Sequence, residues 1–484
     1  MMDSLIRVLN WYEQWVLFYL FSINSIYFVL LLVGFFELLR YRFVRHDPAE
    51  DGALELSTLV PPISILAPAY NEAATVRESV RAMLMLRYSE FEVIVINDGS
   101  KDDTLKLLIE EFHLYKSALY YEATLNTKPI RAVYESMDPI RLVVIDKENG
   151  GKADSLNAGI NVARYPLVCA VDSDSVLEDN ALLLVARAFV EDRHHVLAVG
   201  GIIRVANGCQ ISGGRIETVD IPSSWIARFQ VVEYFRAFLG GRVAFSAFNC
   251  LLVISGAFGL FLKSAVVAVG GYQTSTVGED MELIVRLHRW ARKQRKEYKI
   301  VFRPDPVCWT EVPESMRILK RQRNRWQRGT IETVWAHRAM IGNPRYGFLG
   351  LFAFPYFVLF EMLGPLVELT GYCLTLVGFT LGLFQWETAV LFFLAAVLYG
   401  MVLSIASVVL EELTTRRYPG VWNLVGLMIA GAIENFGFRQ ILTVWRAQAF
   451  VDVLRGNKTW GKMERKGFQK PSASPQDGVL VKHQ

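Results

Sequence analysis

The chain has 484 residues, 52% of them hydrophobic, and a formal net charge of +3. So neutral a balance gives no electrostatic case for a nucleic-acid partner, and the length leaves room for two or three domain-sized units. Five scattered cysteines (169, 209, 250, 308 and 373), without C-x-x-C spacing, argue against a disulfide framework or a zinc site and fit a reducing compartment for the soluble part.

The first element is an apolar run that opens at Trp15 and continues through Phe28–Val33 to Leu39, long enough to cross a bilayer. It is too long for a signal-peptide core and lacks a basic start and a small-residue cleavage site. Arg40, Arg42 and Arg45 follow it, Arg416 and Arg417 follow a later run, and the tail carries Arg455, Lys458, Lys462, Arg465 and Lys466. Basic residues stay on the cytoplasmic side. The expected layout is therefore an N-terminal transmembrane segment (1–45) entering from outside, a cytoplasmic domain, and a basic cytoplasmic tail (456–484).

After a polar linker (41–60), strands and helices alternate. Strands are expected at 62–68, 91–96, 141–145, 166–171 and 197–203, with helices at about 73–86, 102–113, 152–163 and 178–190. Residues 114–138 read as an irregular connection with one short element. Such alternation predicts a parallel sheet with crossover connections. A polar cluster follows four of the strands: Tyr70-Asn71-Glu72, Asp98-Gly99-Ser100, Gly150-Gly151-Lys152 and Asp172-Ser173-Asp174. Open α/β sheets bind ligands at the carboxyl ends of their strands. Turn chemistry explains Asp, Gly and Ser there, but not a lysine beside paired glycines.

The Asp172/Asp174 pair stands out. On an extended segment both point to one side, and two carboxylates aimed together call for a cation, most simply a hard divalent ion. The alternative is that Asp174 or Ser175 caps the next helix. With a nucleoside diphosphate as ligand, Tyr70 can stack on the base and Asp98 can accept from it. Lys152, after two glycines at a helix start, can meet the diphosphate.

The second half is less regular. A helix is expected over 224–239, with Gln230, Glu233, Tyr234 and Arg236, then a strand at 250–254 ending in Ser255-Gly256. Gly278-Glu279-Asp280 opens a helix to about 292, in which Asp280, with Glu279 beside it, is a candidate base for an acceptor hydroxyl. A base and a metal-stabilised leaving group suffice for one in-line displacement, which inverts the anomeric carbon. A short strand at 299–302 leads to an amphipathic basic helix carrying Leu319, Trp326, Ile331 and Trp335 with Arg317, Lys320, Arg321, Arg323, Arg325 and Arg328. Such a helix beside a membrane region reads as interfacial. Beyond it, 347–384 forms one tilted span or two segments broken at Pro365. Another span covers 388–410 and a further candidate 420–438, and 439–455 is amphipathic. Glu361, Glu368 and Glu434 are costly in lipid; they pair with Arg439 or Arg446, or line a sugar path.

The ordered set Tyr70-Asn71-Glu72, Asp98-Gly99-Ser100, Gly151-Lys152, Asp172-x-Asp174, Ser255-Gly256, Glu279-Asp280 and Gln322-Arg323-Asn324-Arg325-Trp326 resembles the membrane-bound family 2 processive glycosyltransferases, which include poly-N-acetylglucosamine, hyaluronan, chitin and cellulose synthases. The resemblance implies an α/β GT-A (Rossmann-like) cytoplasmic domain (60–312), interface helices with Q-x-x-R-W (313–345) and a C-terminal transmembrane region (346–455). It implies a UDP-sugar donor of the UDP-GlcNAc or UDP-glucose class, Mg2+ or Mn2+, a polysaccharide or glycan acceptor, and residence among the lipids of a bacterial-type inner membrane. Donor binding would fall to Tyr70, Glu72, Asp98, Lys152, Asp172, Gln322 and Arg325. The metal would fall to Asp172 and Asp174, catalysis to Asp280 with Glu279, and acceptor binding to Trp326, Ser255 and Gly256. A non-processive transferase and an inactive scaffold are the alternatives. The chain departs from the pattern in reading Gly278-Glu-Asp where several relatives have Thr-Glu-Asp, and no fused regulator is expected.

Overall fold

A computed structural model describes residues 2–45, 60–137, 141–192, 195–382 and 386–456. Most of the 41–60 linker and nearly all of the tail, with Lys458, Lys462, Arg465 and Lys466, lie outside the described residues.

The centre is a ten-stranded sheet. Its strands are β1 (Ile63–Ala69), β2 (Phe91–Asn97), β3 (Tyr115–Ser117), β4 (Ile130–Glu135), β5 (Arg141–Lys147), β6 (Leu167–Val171), β7 (Ser175–Leu177), β8 (Val196–Val205), β11 (Phe258–Leu262) and β12 (Lys299–Thr310), while β9 (Gln210–Ser212) and β10 (Arg215–Thr218) form a separate hairpin. The order is β3-β4-β5-β2-β1-β6-β11-β8-β12-β7. Strands β5, β2, β1 and β6 run parallel. They are buried nearly throughout, which is why they read as Val/Ile/Leu runs rather than as alternating patterns. In register, Ala69 lies opposite Asn97 and Asn97 opposite Asp146, so three polar clusters emerge along one edge.

The sheet differs from expectation in three places. It is mixed, not parallel: β4 runs antiparallel to β5, and β11 runs antiparallel to both β6 and β8. The 114–138 stretch holds two strands rather than one short element. Residues 250–254 form no strand; Cys250, Leu251, Leu252 and Ile254 are buried in an irregular segment, and the strand comes after the Ser255-Gly256 turn. Apolar content alone does not separate a buried coil from a buried strand.

The helices are α1 (Met2–Arg40), α2 (Val76–Leu84), α3 (Thr104–Glu111), α4 (Lys152–Val162), α5 (Ala181–Glu191), α6 (Trp225–Phe235), α7 (Val243–Ala247), α8 (Lys263–Ala268), α9 (Glu279–Lys293) and α10 (Met316–Ala336). Helix α5 starts after Asn180, so neither Asp174 nor Ser175 caps it. A π-helical stretch, Arg236–Arg242, joins α6 to α7. Among the described residues, two helical spans, Trp11–Phe43 and Val390–Thr414, are long and apolar enough to cross a membrane. Two bent pairs raise the number to four: Leu349–Met362 with Gly364–Thr380 at 41°, and Val421–Ile433 with Phe438–Leu454 at 58°. The first bend falls at Pro365, which lacks an N–H. Met362 O instead accepts from Gln327 Nε2 at 2.9 Å, and Glu361 O from Arg446 Nη2 at 2.8 Å.

Candidate active site

Ten of the thirteen site residues expected from sequence line one cavity of about 1420 Å³: Lys152, Asp172, Asp174, Ser255, Gly256, Glu279, Asp280, Gln322, Arg325 and Trp326. Three do not. Tyr70 is largely exposed on the adjoining face, and the turn that carries it is tied to the next one, where Asn71 N donates to Ser100 Oγ at 3.0 Å and Glu72 N to Thr104 Oγ1 at 2.9 Å. Glu72 accepts from Thr75 Oγ1 at 3.1 Å, beside the start of α2. Asp98 is buried, and its carboxylate accepts from Gly150 N (2.9 Å), Gly151 N (2.8 Å), Asn149 Nδ2 (3.2 Å) and Lys147 Nζ (2.7 Å). All four donors belong to this chain. The carboxylate expected to accept from a base is thus engaged in shaping the glycine turn.

Lys147 and Asp154 were not singled out by the sequence, yet they complete this arrangement. Lys147 Nζ is fully buried at the end of β5, 2.6 Å from Asp154 Oδ2 as well as 2.7 Å from Asp98. A Cβ at Gly150 would come within 2.3 Å of the Asp154 carboxylate, so only glycine fits there. A charged residue closing the apolar strand Leu142–Ile145 is the signal that would have found the ammonium.

The turn delivers Lys152 to the cavity. Its ammonium donates to Asp172 Oδ1 and, at 2.9 Å, to Gly256 O. Burial alone would lower the proton affinity of Lys152, but Asp172 and Glu279 outweigh it and the net shift is upward, so the lysine is charged. Asp172 and Asp174 sit in a tight turn between β6 and β7, not on an extended segment, with Ser175 N donating to Asp172 O at 3.0 Å.

Across the cavity, Asp280 Oδ2 accepts from Gly256 N at 3.2 Å and Oδ1 from Met281 N at 2.8 Å. Glu279 is buried; burial first, then the charge of Asp280, push its carboxyl up to about 7 against the pull of Lys152 and Arg325. The start of α9 lies directly on α10. A Cβ on Gly278 would come within 2.7 Å of Gly329 Cα, and one on Gly329 within 2.8 Å of Gly278 Cα. The glycine before Glu279-Asp280 therefore has a steric reason: the helix carrying Gln322 to Trp326 comes too close for a side chain. Trp326 is 41% exposed on the wall. Arg323 stacks on its ring at 4.4 Å and bonds to Glu233 of α6, a pairing the sequence did not suggest.

The two aspartates offer hard oxygen donors in a place where the fold already tolerates positive charge, that of Lys152. Among the described residues no group of three or more His, Cys, Asp or Glu forms a metal cage. A two-carboxylate set fits Mg2+ or Mn2+, which keep waters and take further ligands from substrate phosphates.

The same cavity runs on between the membrane helices. Glu361 pairs with Arg446 at 3.3 Å, Glu368 accepts from Thr443 at 2.8 Å, and Glu434 pairs with Arg236; all six line it. The acidic residues of the apolar runs are thus both paired and cavity-facing.

Residues 61–329 match the family described as "Glycosyltransferase like family 2", and residues 275–470 match "Chitin synthase". The chain is similar to poly-beta-1,6-N-acetyl-D-glucosamine synthases: 31% identical over 313 residues to that of Staphylococcus aureus, covering 64% of this chain and 63% of the relative. To that of Staphylococcus epidermidis it is 29% identical over 296 residues, or 61% of each. The chain thus spans little more than three fifths of the length of these relatives. A mannosyltransferase from Pyrobaculum calidifontis, solved with GDP-Man and Mn2+, superposes with a TM-score of 0.52 at 16% identity over 88% of this chain and 99% of the other, a likeness of fold.

Proposed function

Because the chain belongs to the family 2-like glycosyltransferases, we propose that it moves a sugar from a UDP-sugar onto a growing β-linked polysaccharide, with inversion at the anomeric carbon. The observation that carries this reading is the convergence of Lys152, Asp172, Asp174, Asp280, Gln322, Arg325 and Trp326 on one cavity. Asp280 takes the proton of the acceptor hydroxyl as its oxygen attacks the anomeric carbon and the bond to the diphosphate breaks. Lys152, Gln322 and Arg325 hold the diphosphate, Trp326 stacks on the acceptor sugar, and Ser255-Gly256 shapes the floor between Lys152 and Asp280. Tyr70 stacks on the base from the open face. Asp172 and Asp174 would hold Mg2+ or Mn2+, which when bound would supply positive charge for the departing diphosphate.

The names of the relatives support UDP-N-acetylglucosamine as the donor to test first. The run of cavity past Trp326, along Glu361, Glu368 and Glu434, supports passage of the product between the helices, since acids in membrane segments face protein or water. The reading sets the catalytic domain on the cytoplasmic side of an inner membrane.

Purified protein in detergent, given UDP-N-acetylglucosamine and Mg2+, should release UDP and make long chains. Products of one added sugar would leave a non-processive transferase instead. A chelator should abolish turnover, and Mg2+ or Mn2+ should restore it; chelator-resistant turnover would remove Asp172 and Asp174 from the metal role.

A pH dependence follows from the Glu279-Asp280 pair. With its carboxyl raised to about 7, Glu279 is neutral below that pH and adds a negative charge beside the base above it, so the pH–rate profile should inflect near 7. Glu279→Gln removes that titration, and the inflection should disappear. An inflection that persists in Glu279→Gln would show that it belongs to another group.

A further inference from the structure

Arg242 closes the π-helical stretch between α6 and α7 and lines the cavity that also holds Asp280 and Trp326. Its Nη1 is buried and has no hydrogen-bond partner among the described residues. The guanidinium lies 3.9 Å from the ring of Phe238, which holds it flat but satisfies none of its donors. The two charged side chains nearest in kind do other work: Arg323 is bonded to Glu233, and Arg236 to Glu434. Burial pulls the guanidinium down to about 10, and the charge of Asp280 draws it back up. Arg242, Asp280 and Lys152 line the same cavity, with Lys152 bonded to Asp172 and to Gly256 O. The stretch that carries Arg242 packs on α1, where a Cβ on Gly240 would lie 3.2 Å from Leu31, so Arg242 enters the cavity from the side of the membrane helices and Lys152 from the glycine turn.

A guanidinium nitrogen buried without an acceptor is costly. π-helical turns inside helices are often found where a side chain is aimed at a ligand. The acceptor sugar is the one ligand whose hydroxyl must reach Asp280 from the side opposite the diphosphate. Building on the function proposed above, we infer that Arg242 binds the terminal sugar of the acceptor, donating from Nη1 to one of its oxygens, a hydroxyl or an N-acetyl carbonyl. Trp326 and Arg242 then grip that sugar by its face and its edge. Arg242 orients the attacking hydroxyl and makes no bond to the donor.

The test uses the full-length protein in detergent, UDP-N-acetylglucosamine, and a β-1,6-linked N-acetylglucosamine oligosaccharide as acceptor. In Arg242→Met the acceptor KM should rise roughly tenfold to hundredfold, the loss of one charge-assisted hydrogen bond. The KM for UDP-N-acetylglucosamine and the directly measured Kd of UDP should stay within about twofold. Arg242→Lys should recover part of the acceptor KM, because the charge survives and the planar fork does not. A parallel rise in donor KM, an unchanged acceptor KM, or a lysine variant no better than methionine would each overturn the assignment. Should Arg242→Met lose UDP binding through misfolding, the acceptor-to-donor KM ratio of Arg242→Lys decides. Wild-type protein that does not extend the oligosaccharide would overturn the proposed function itself, and this assignment with it.

Discussion

Asp280→Asn should slow sugar transfer by roughly 10²–10⁴-fold, the range for removing a positioned general base. The substitution keeps the side-chain shape. Asparagine can accept only one of the two bonds that hold the carboxylate, from Gly256 N to Oδ2 at 3.2 Å or from Met281 N to Oδ1 at 2.8 Å, and it cannot take a proton. The carboxylate sits in the first turn of α9, where the helix dipole favours negative charge. Initial rates of UDP release, set beside the Kd of UDP, measure the effect: the rate should collapse while UDP binding holds. Full turnover in Asp280→Asn together with its loss in Glu279→Gln would move the base one residue back.

Lys147→Met should destabilise the protein by about 3–5 kcal/mol, the cost of stripping the partner from buried charges. The ammonium is fully buried and stands between two carboxylates, 2.7 Å from Asp98 and 2.6 Å from Asp154, and also donates to Glu148 O at 2.6 Å. Without it, two buried acids face each other across the glycine turn that places Lys152. Asp98 keeps its backbone donors from Gly150 and Gly151, so the turn should loosen rather than vanish, and UDP affinity should fall with stability. A thermal midpoint in detergent checks this, and the triple variant Lys147→Met, Asp98→Asn, Asp154→Asn should recover part of the loss because the charges are removed together. A midpoint unchanged in the single variant would show that the triad carries no net stability.

The sequence by itself determined the membrane-flanked α/β plan, because bilayer thickness and strand burial both write long apolar runs. It also named most of the residues that line the cavity. Lys152, Asp172, Asp174 and Asp280 each lie in a short motif at an element's end, and Trp326 in Q-x-x-R-W within α10, where local chemistry has no simpler explanation as a set. Tertiary structure decided what depends on partners distant in the chain. Phe258–Leu262 runs antiparallel between two strands because its neighbours, β6 and β8, leave that slot, and no residue within it encodes direction. Asp98 looks like a free turn carboxylate in Asp98-Gly99-Ser100; only packing shows Lys147, Asn149, Gly150 and Gly151 closing around it. Gly278 looks like a departure from a motif until Gly329, fifty-one positions on, is found against its Cα. Arg242 reads as one arginine among many until burial leaves its guanidinium facing the cavity. Motifs are legible because their chemistry is local; the satisfaction of a buried charge is not, because its partners are chosen by packing.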